Sequence, residues 1–137
     1  MTDMINHPPH YTQAAITIEP IDVLRYAPFD LGNCLKYIIR AGHKGDALED
    51  LKKANFYLKV AYDTYDRHPG RYMKFFRKYG HILDKFERLK GIADGGVVGK
   101  FDFLKRVIDD EHSLREMAKS RAMGLYVYDQ RSMGEKK

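Results

Sequence analysis

Only four residues, Gly42-His43-Lys44-Gly45, separate two stretches that both repeat with helical period. A connection that short leaves two helices one stable option, which is to turn back and pack antiparallel. The second stretch is the more regular. Leu48, Leu51, Ala54, Leu58, Ala61 and Tyr65 step along it by three or four residues, which is the pattern of a buried seam. Asp46 stands in front as an N-cap, and Glu49 three residues on completes a capping-box pattern. In the first stretch Leu31, Leu35, Ile38 and Ile39 form the apolar face. Asp30 is its expected N-cap, and the helix is expected to run to about Gly42.

Prolines and glycines divide the rest. Residues 1–20 read as irregular, because Asn6-His7-Pro8-Pro9-His10-Tyr11 places two prolines in extended geometry without amide donors. Pro20 suits the first turn of a short helix carrying Ile21, Val23 and Leu24 and ending near Pro28. His68-Pro69-Gly70 breaks the long pattern and serves as a boundary. A third helix is expected from about Tyr72 to Lys90, rich in Phe and Tyr, with Gly91 as its terminator. Residues 94–99 read as a loop, and a fourth helix is expected from about Asp102. Leu125-Tyr126-Val127-Tyr128 reads as a short strand or an interaction segment, followed by a loose polar tail. The expected class is all-α, an antiparallel helical hairpin core plus a C-terminal helical extension. Residues 1–68 form the first unit and residues 69–137 the second, which is basic and aromatic-rich.

The net charge of +5 is unevenly spread. Residues 1–68 carry eight Lys/Arg against nine Asp/Glu, and residues 69–137 carry sixteen against ten. Acids interrupt every basic stretch of the second half, so neither an unbroken stripe nor a reading motif for nucleic acid is present. A hydrophobic content of 44% supports a real core. One cysteine, Cys34, excludes an intrachain disulfide framework and any CxxC zinc site, and its place on the helix suits packing. The first residues hold acids and prolines where a secretory leader is apolar, and no run approaches the ~18 apolar residues of a membrane span. These features lead to the expectation of a soluble cytoplasmic protein, in the host cytoplasm if the chain is viral.

Between Leu31 and Gly45 there is no carboxylate. Asn33, Lys36, Tyr37 and Arg40 share one helical face there, and Lys44 follows in the turn. A face selected only for solubility mixes signs at i,i+4, and this one does not. An amide, an ammonium, a phenol and a guanidinium together suit a polyanion carrying a planar group, for which a nucleotide is the commonest case. The plain alternative is a solvated cationic face. On the second helix Asp46, Asp50, Lys53 and Tyr57 fall within one arc. If that arc turns toward Arg40, Asp50 orients the cation while Lys53 and Tyr57 extend the anion site. Ordinary surface pairing is the alternative.

Other chemistries fail on their residues. Asp94-Gly95-Gly96-Val97-Val98-Gly99-Lys100-Phe101 has Asp for the first Gly of a Walker loop and Phe for its Ser/Thr, and it follows a helix where a strand is required. His7 and His10 have H-x2-H spacing but no second ligand pair, and His10-Tyr11 fits better as a turn reaching a ligand. His43, His68, His81 and His112 are scattered. A magnesium-dependent helical pyrophosphohydrolase needs paired carboxylates on facing helices. Here Glu49 is followed by Lys52, and Asp109-Asp110-Glu111 reads as a solvated run, so no protein metal cage is seen.

His10-Tyr11, Glu19 with Ile21, Gly32-Asn33-x-Leu35-Lys36-Tyr37-x-x-Arg40-Ala41-Gly42-x-Lys44 and Asp50-Leu51-x-Lys53-Ala54-x-Phe56-Tyr57 resemble a small domain common in bacteriophage genomes. One branch of that domain is the nucleotide kinase of T7-like phages, which phosphorylates deoxynucleoside monophosphates without a P-loop. The resemblance covers about residues 6–66. It implies a nucleotide-binding, kinase-like phosphotransferase that takes its phosphoryl group from a nucleoside triphosphate donor, with Mg2+ arriving on the nucleotide. Lys36, Arg40 and Lys44 then neutralise phosphates, and Tyr37 or Tyr57 stacks on the base. Asn33 reads the base edge or a sugar hydroxyl. Asp50 either holds Arg40 or meets the magnesium. A two-helix hairpin cannot enclose two nucleotides, so the aromatic helix is expected to cover the pocket or to drive a homo-oligomer. A noncatalytic nucleotide-sequestering protein and a protein-interaction module are the alternatives from other classes.

Overall fold

A computed structural model describes residues 18–122. They form five helices: α1 (Pro20–Leu24), α2 (Phe29–Arg40), α3 (Ala47–Arg67), α4 (Pro69–Leu83) and α5 (Val97–Ala122), with a 3-10 turn at Glu87–Leu89 between the last two. The protein is all-α over these residues, and no strand occurs among them. His10, Tyr11 and Leu125–Tyr128 lie outside the described residues.

The hairpin is α2 and α3, the most extensively packed pair of helices. Leu31, Cys34, Leu35 and Ile38 of α2 are buried together with Leu51, Ala54, Leu58 and Ala61 of α3. Burial of Cys34 pushes its thiol well above the usual range, as expected of a packing residue. The turn between the helices requires its glycines, since Gly42 and Gly45 have φ of 89° and 72°. Asp46 caps α3, its Oδ1 accepting from the amides of Leu48 at 3.0 Å and Glu49 at 3.3 Å. The Asp46 amide donates no return bond to the Glu49 carboxylate among the described residues, so the expected capping box is only half made.

Asp30 is not the N-cap of α2. Pro28 holds that position, and Asp30 lies in the first turn, buried, with its carboxylate taken by Tyr72 of α4. The third helix also departs from expectation at both ends. It begins at Pro69, since proline is well accommodated in a first turn, and it stops at Leu83 rather than Lys90. Its aromatic residues do not cover the cationic face of the hairpin, because Tyr72, Phe75 and Phe76 are core residues. Tyr62, Tyr65 and Tyr72 all meet the ring of Phe101 edge-on, at centroid distances of 5.0, 5.8 and 5.8 Å. Each such pair adds roughly 0.5–1.5 kcal/mol beyond area burial.

The last helix starts five residues earlier than Asp102, inside the Walker-like sequence. Lys100 explains that sequence. Its ammonium donates to the carbonyls of Ile92, Ala93 and Asp94 at 2.8, 2.9 and 3.0 Å, tying the preceding loop to the helix. The run at 109–111 is not uniformly solvated either. Glu111 is partly buried and joins Arg88 at 3.3 Å to Arg115 at 2.9 Å. Arg88 in turn donates to the carbonyls of Ile38 and Ile39 near the end of α2.

Candidate functional site on the α2–α3 face

Antiparallel packing sets the end of α2 beside the start of α3, and there the two polar arcs meet. Arg40 Nε lies 3.4 Å from Asp50 Oδ2. That distance makes an ion pair, yet Oδ2 accepts no hydrogen bond, so the contact is electrostatic with poor hydrogen-bond geometry. The two partners differ sharply in exposure. The Asp50 side chain is 4% exposed, whereas that of Arg40 is 43% exposed. A buried carboxylate therefore steers a guanidinium whose remaining N–H groups face outward. Arg40 also lies over the turn, where a Cβ at Gly45 would come within 3.4 Å of its Nη2.

One turn back along α2, Tyr37 carries two ammonium groups. Lys36 Nζ is 4.5 Å from its ring centroid, and Lys53 Nζ, reaching across from α3, is 5.4 Å away. Among the described residues neither lysine pairs with a carboxylate. Tyr57 lies nearly parallel to Tyr37, with centroids 6.2 Å apart and planes 9° from each other. Phe29 and Phe56 meet Tyr57 edge-on at 6.0 and 5.2 Å and are themselves exposed.

Six of the residues singled out from sequence thus come together: Lys36, Tyr37, Arg40, Asp50, Lys53 and Tyr57. Asn33 lies one turn before Tyr37, and its Nδ2 donates to the Phe29 carbonyl at 2.9 Å, leaving its Oδ1 as an acceptor. Lys44 is exposed in the turn and touches none of the six by any bond or ion pair among the described residues. Between the two roles considered for Asp50, the geometry matches that of holding Arg40. Among the described residues no group of three or more His, Cys, Asp or Glu side chains gathers for a metal ion.

Sequence reasoning missed the groove that adjoins this face. It measures about 510 Å³ and runs between α1 and α2, lined by Pro20, Leu24, Arg25, Phe29, Asn33 and Lys36 among others. Phe29 was readable, since it stands four residues before Asn33 and eight before Tyr37 on one helical strip. Arg25 was not, because its approach depends on how α1 folds against α2. A second cavity of about 530 Å³ lies between α4 and the start of α5, beside Arg77 and His81. Its Lys100 is fully occupied by backbone carbonyls.

Residues 5–59 match the family model described as a protein of unknown function, DUF3310. The matched segment contains α1, α2, most of α3 and every site residue named above. No curated protein and no solved structure matches the chain. No helix among the described residues is long and apolar enough to cross a membrane.

Proposed function

We propose that the α2–α3 face binds a nucleoside phosphate and that the protein acts as a P-loop-independent nucleoside monophosphate kinase. The observation that carries the reading is the steered, outward-facing Arg40 beside two lysines that share one tyrosine ring and pair with no carboxylate. Three cations grouped against a single buried acid make a local positive field suited to phosphates. Arg40 supplies a bidentate fork for phosphoryl oxygens. The base lies in the groove against Phe29, with Asn33 Oδ1 positioned to accept from its edge.

Phosphoryl transfer asks for in-line placement and charge stabilisation. An oxygen of the acceptor monophosphate attacks the γ-phosphorus of the donor triphosphate, the bond to the β,γ-bridging oxygen breaks, and two diphosphates leave. The acceptor is already anionic, so no side chain removes a proton. Lys36, Lys53 and Arg40 hold the phosphates together and stabilise the charge that shifts onto the leaving diphosphate. A magnesium ion arriving with the triphosphate would be held by the nucleotide's phosphates and would help neutralise them, while Asp50 sits against Arg40.

A second reading, nucleotide sequestration without turnover, is favoured by one observation. Among the described residues Lys36 and Arg40 are exposed with nothing over them, and transfer to a phosphate rather than to water calls for enclosure. Incubating the protein with a labelled nucleoside monophosphate, a triphosphate and magnesium separates the two readings. Diphosphate formation supports the kinase. Calorimetric binding with no diphosphate from any common donor and acceptor supports sequestration. Absence of binding to every nucleotide rejects both.

A further inference from the structure

We propose that the outer half of α5 is a self-association surface, on which a second copy of this chain docks antiparallel. The proposal is independent of the nucleotide reading and lies outside the segment matched by the family model. Phe103, Val107, Asp110, Leu114, Met117 and Arg121 follow one another by alternating steps of four and three residues. That spacing is the a/d seam of a helix pair. The seam is used in two different ways along its length. Phe103 and Val107 pack against the body of the protein. Ile108 is the last buried residue of the helix, and beyond it nothing among the described residues covers the seam, with Leu114 63% and Met117 53% exposed. From Ile108 to Ala122 the helix extends about 21 Å.

The polar members of the open seam specify the occupant. Asp110 and Arg121 have opposite charge and form no ion pair among the described residues. They are equidistant from the midpoint of Leu114 and Met117 in the sequence. A two-fold axis through that midpoint therefore sets Leu114 against Met117 of the other copy. The same axis sets Asp110 against Arg121 twice over, once from each copy. Such an interface is isologous and self-complementary. Parallel pairing would instead face Asp110 with Asp110 and Arg121 with Arg121, which repels. A surface of about four helical turns lies at the small end of specific interfaces, so association is expected to be weak and concentration-dependent.

Sedimentation equilibrium of the full chain, in a concentration series reaching the submillimolar range, tests the proposal. The wild type should move from monomer toward dimer mass. Leu114→Lys should remain monomeric at every concentration with an unchanged melting temperature, since the side chain is exposed. Asp110→Arg and Arg121→Glu should each weaken association, and the double variant should regain it. An equimolar mixture of the two single variants should form a heterodimer in which both ion pairs are restored. A wild type that stays monomeric throughout overturns the proposal. Association that Leu114→Lys leaves intact, or that neither charge variant weakens, also overturns it.

Discussion

The hydroxyl of Tyr72 reaches both oxygens of the Asp30 carboxylate, at 2.7 and 2.8 Å, joining positions forty-two residues apart inside the core. The only other donor to that carboxylate among the described residues is the amide of Leu31, at 2.7 Å. Tyr72→Phe keeps the ring and its edge contact with Phe101 but leaves a buried carboxylate short of a donor. The expected cost is about 1–3 kcal/mol, read as a lowered denaturation midpoint in urea. An unchanged midpoint would show that water enters to replace the hydroxyl.

The same hydroxyl governs behaviour in alkali. Burial, then the bond to Asp30, push the Tyr72 phenol above its ordinary range. Burial and the bond to Asp102 push Tyr62 from 10.0 to about 12. A group whose folded value is raised holds its proton more tightly in the folded state. Its stabilising contribution is complete below the unfolded value and is lost as pH climbs through the folded one. Melting temperature should therefore be insensitive to these groups below about pH 10 and fall between pH 10 and 12. The Tyr62→Phe variant should show a shallower fall.

Glycines at two positions should respond in opposite ways to alanine. At Gly42 the backbone has φ of 89°, and the Arg115 guanidinium occupies the space a Cβ would need. Gly42→Ala should cost roughly 1–3 kcal/mol. Gly70, in the first turn of α4, has nothing near an added Cβ. Gly70→Ala should be neutral or stabilising by about 0.4–1 kcal/mol. Thermal melts of the two variants check the contrast.

Proline at Ala54 tests the hairpin itself. Ala54 is fully buried in the middle of α3, and proline there deletes a helical hydrogen bond while its ring clashes with the preceding turn. A loss of ~3 kcal/mol or more is expected. Near-normal melting would be incompatible with a continuous α3.

At the nucleotide face, Arg40→Lys retains charge and loses the planar fork, so calorimetry should show weakened binding, and Arg40→Ala should be weaker still. Arg40→Lys keeps a cation beside the buried Asp50, whereas Arg40→Ala strands that carboxylate and should also lower the melting temperature, so affinities are compared at a temperature where both variants are folded. If transfer occurs, Lys36→Ala should lower kcat more than it raises KM, because a phosphate clamp acts most strongly when charge moves. Wild-type affinity in Arg40→Ala would remove this residue from the site.

Local signals made the hairpin legible. Asp46 and the glycine turn act within a few residues of themselves, and the seam of α3 needs only its own period. The meeting of Arg40 with Asp50 was legible for the same reason, since a short turn fixes which ends of the two helices adjoin. Asp30 misled because the rule for helix starts is local, whereas its partner Tyr72 arrives from another helix. The role of Lys100 was hidden in the same way: its segment could be rejected as a Walker loop, but the three carbonyls its ammonium serves are fixed only by how the preceding loop folds back. The groove beside Phe29 depends on the docking of α1, a five-residue helix whose sequence says little about its direction.

Arg88 has a consequence for how this chain can be dissected. The matched segment ends at residue 59, yet the carbonyls of Ile38 and Ile39 take a donor from Arg88, and Asp30 takes one from Tyr72. What is shared with other chains is thus smaller than what must fold together here. A fragment cut after the hairpin would bare the inner side of α3 and strand those acceptors, so grafting the site onto another scaffold means transplanting its creditors as well.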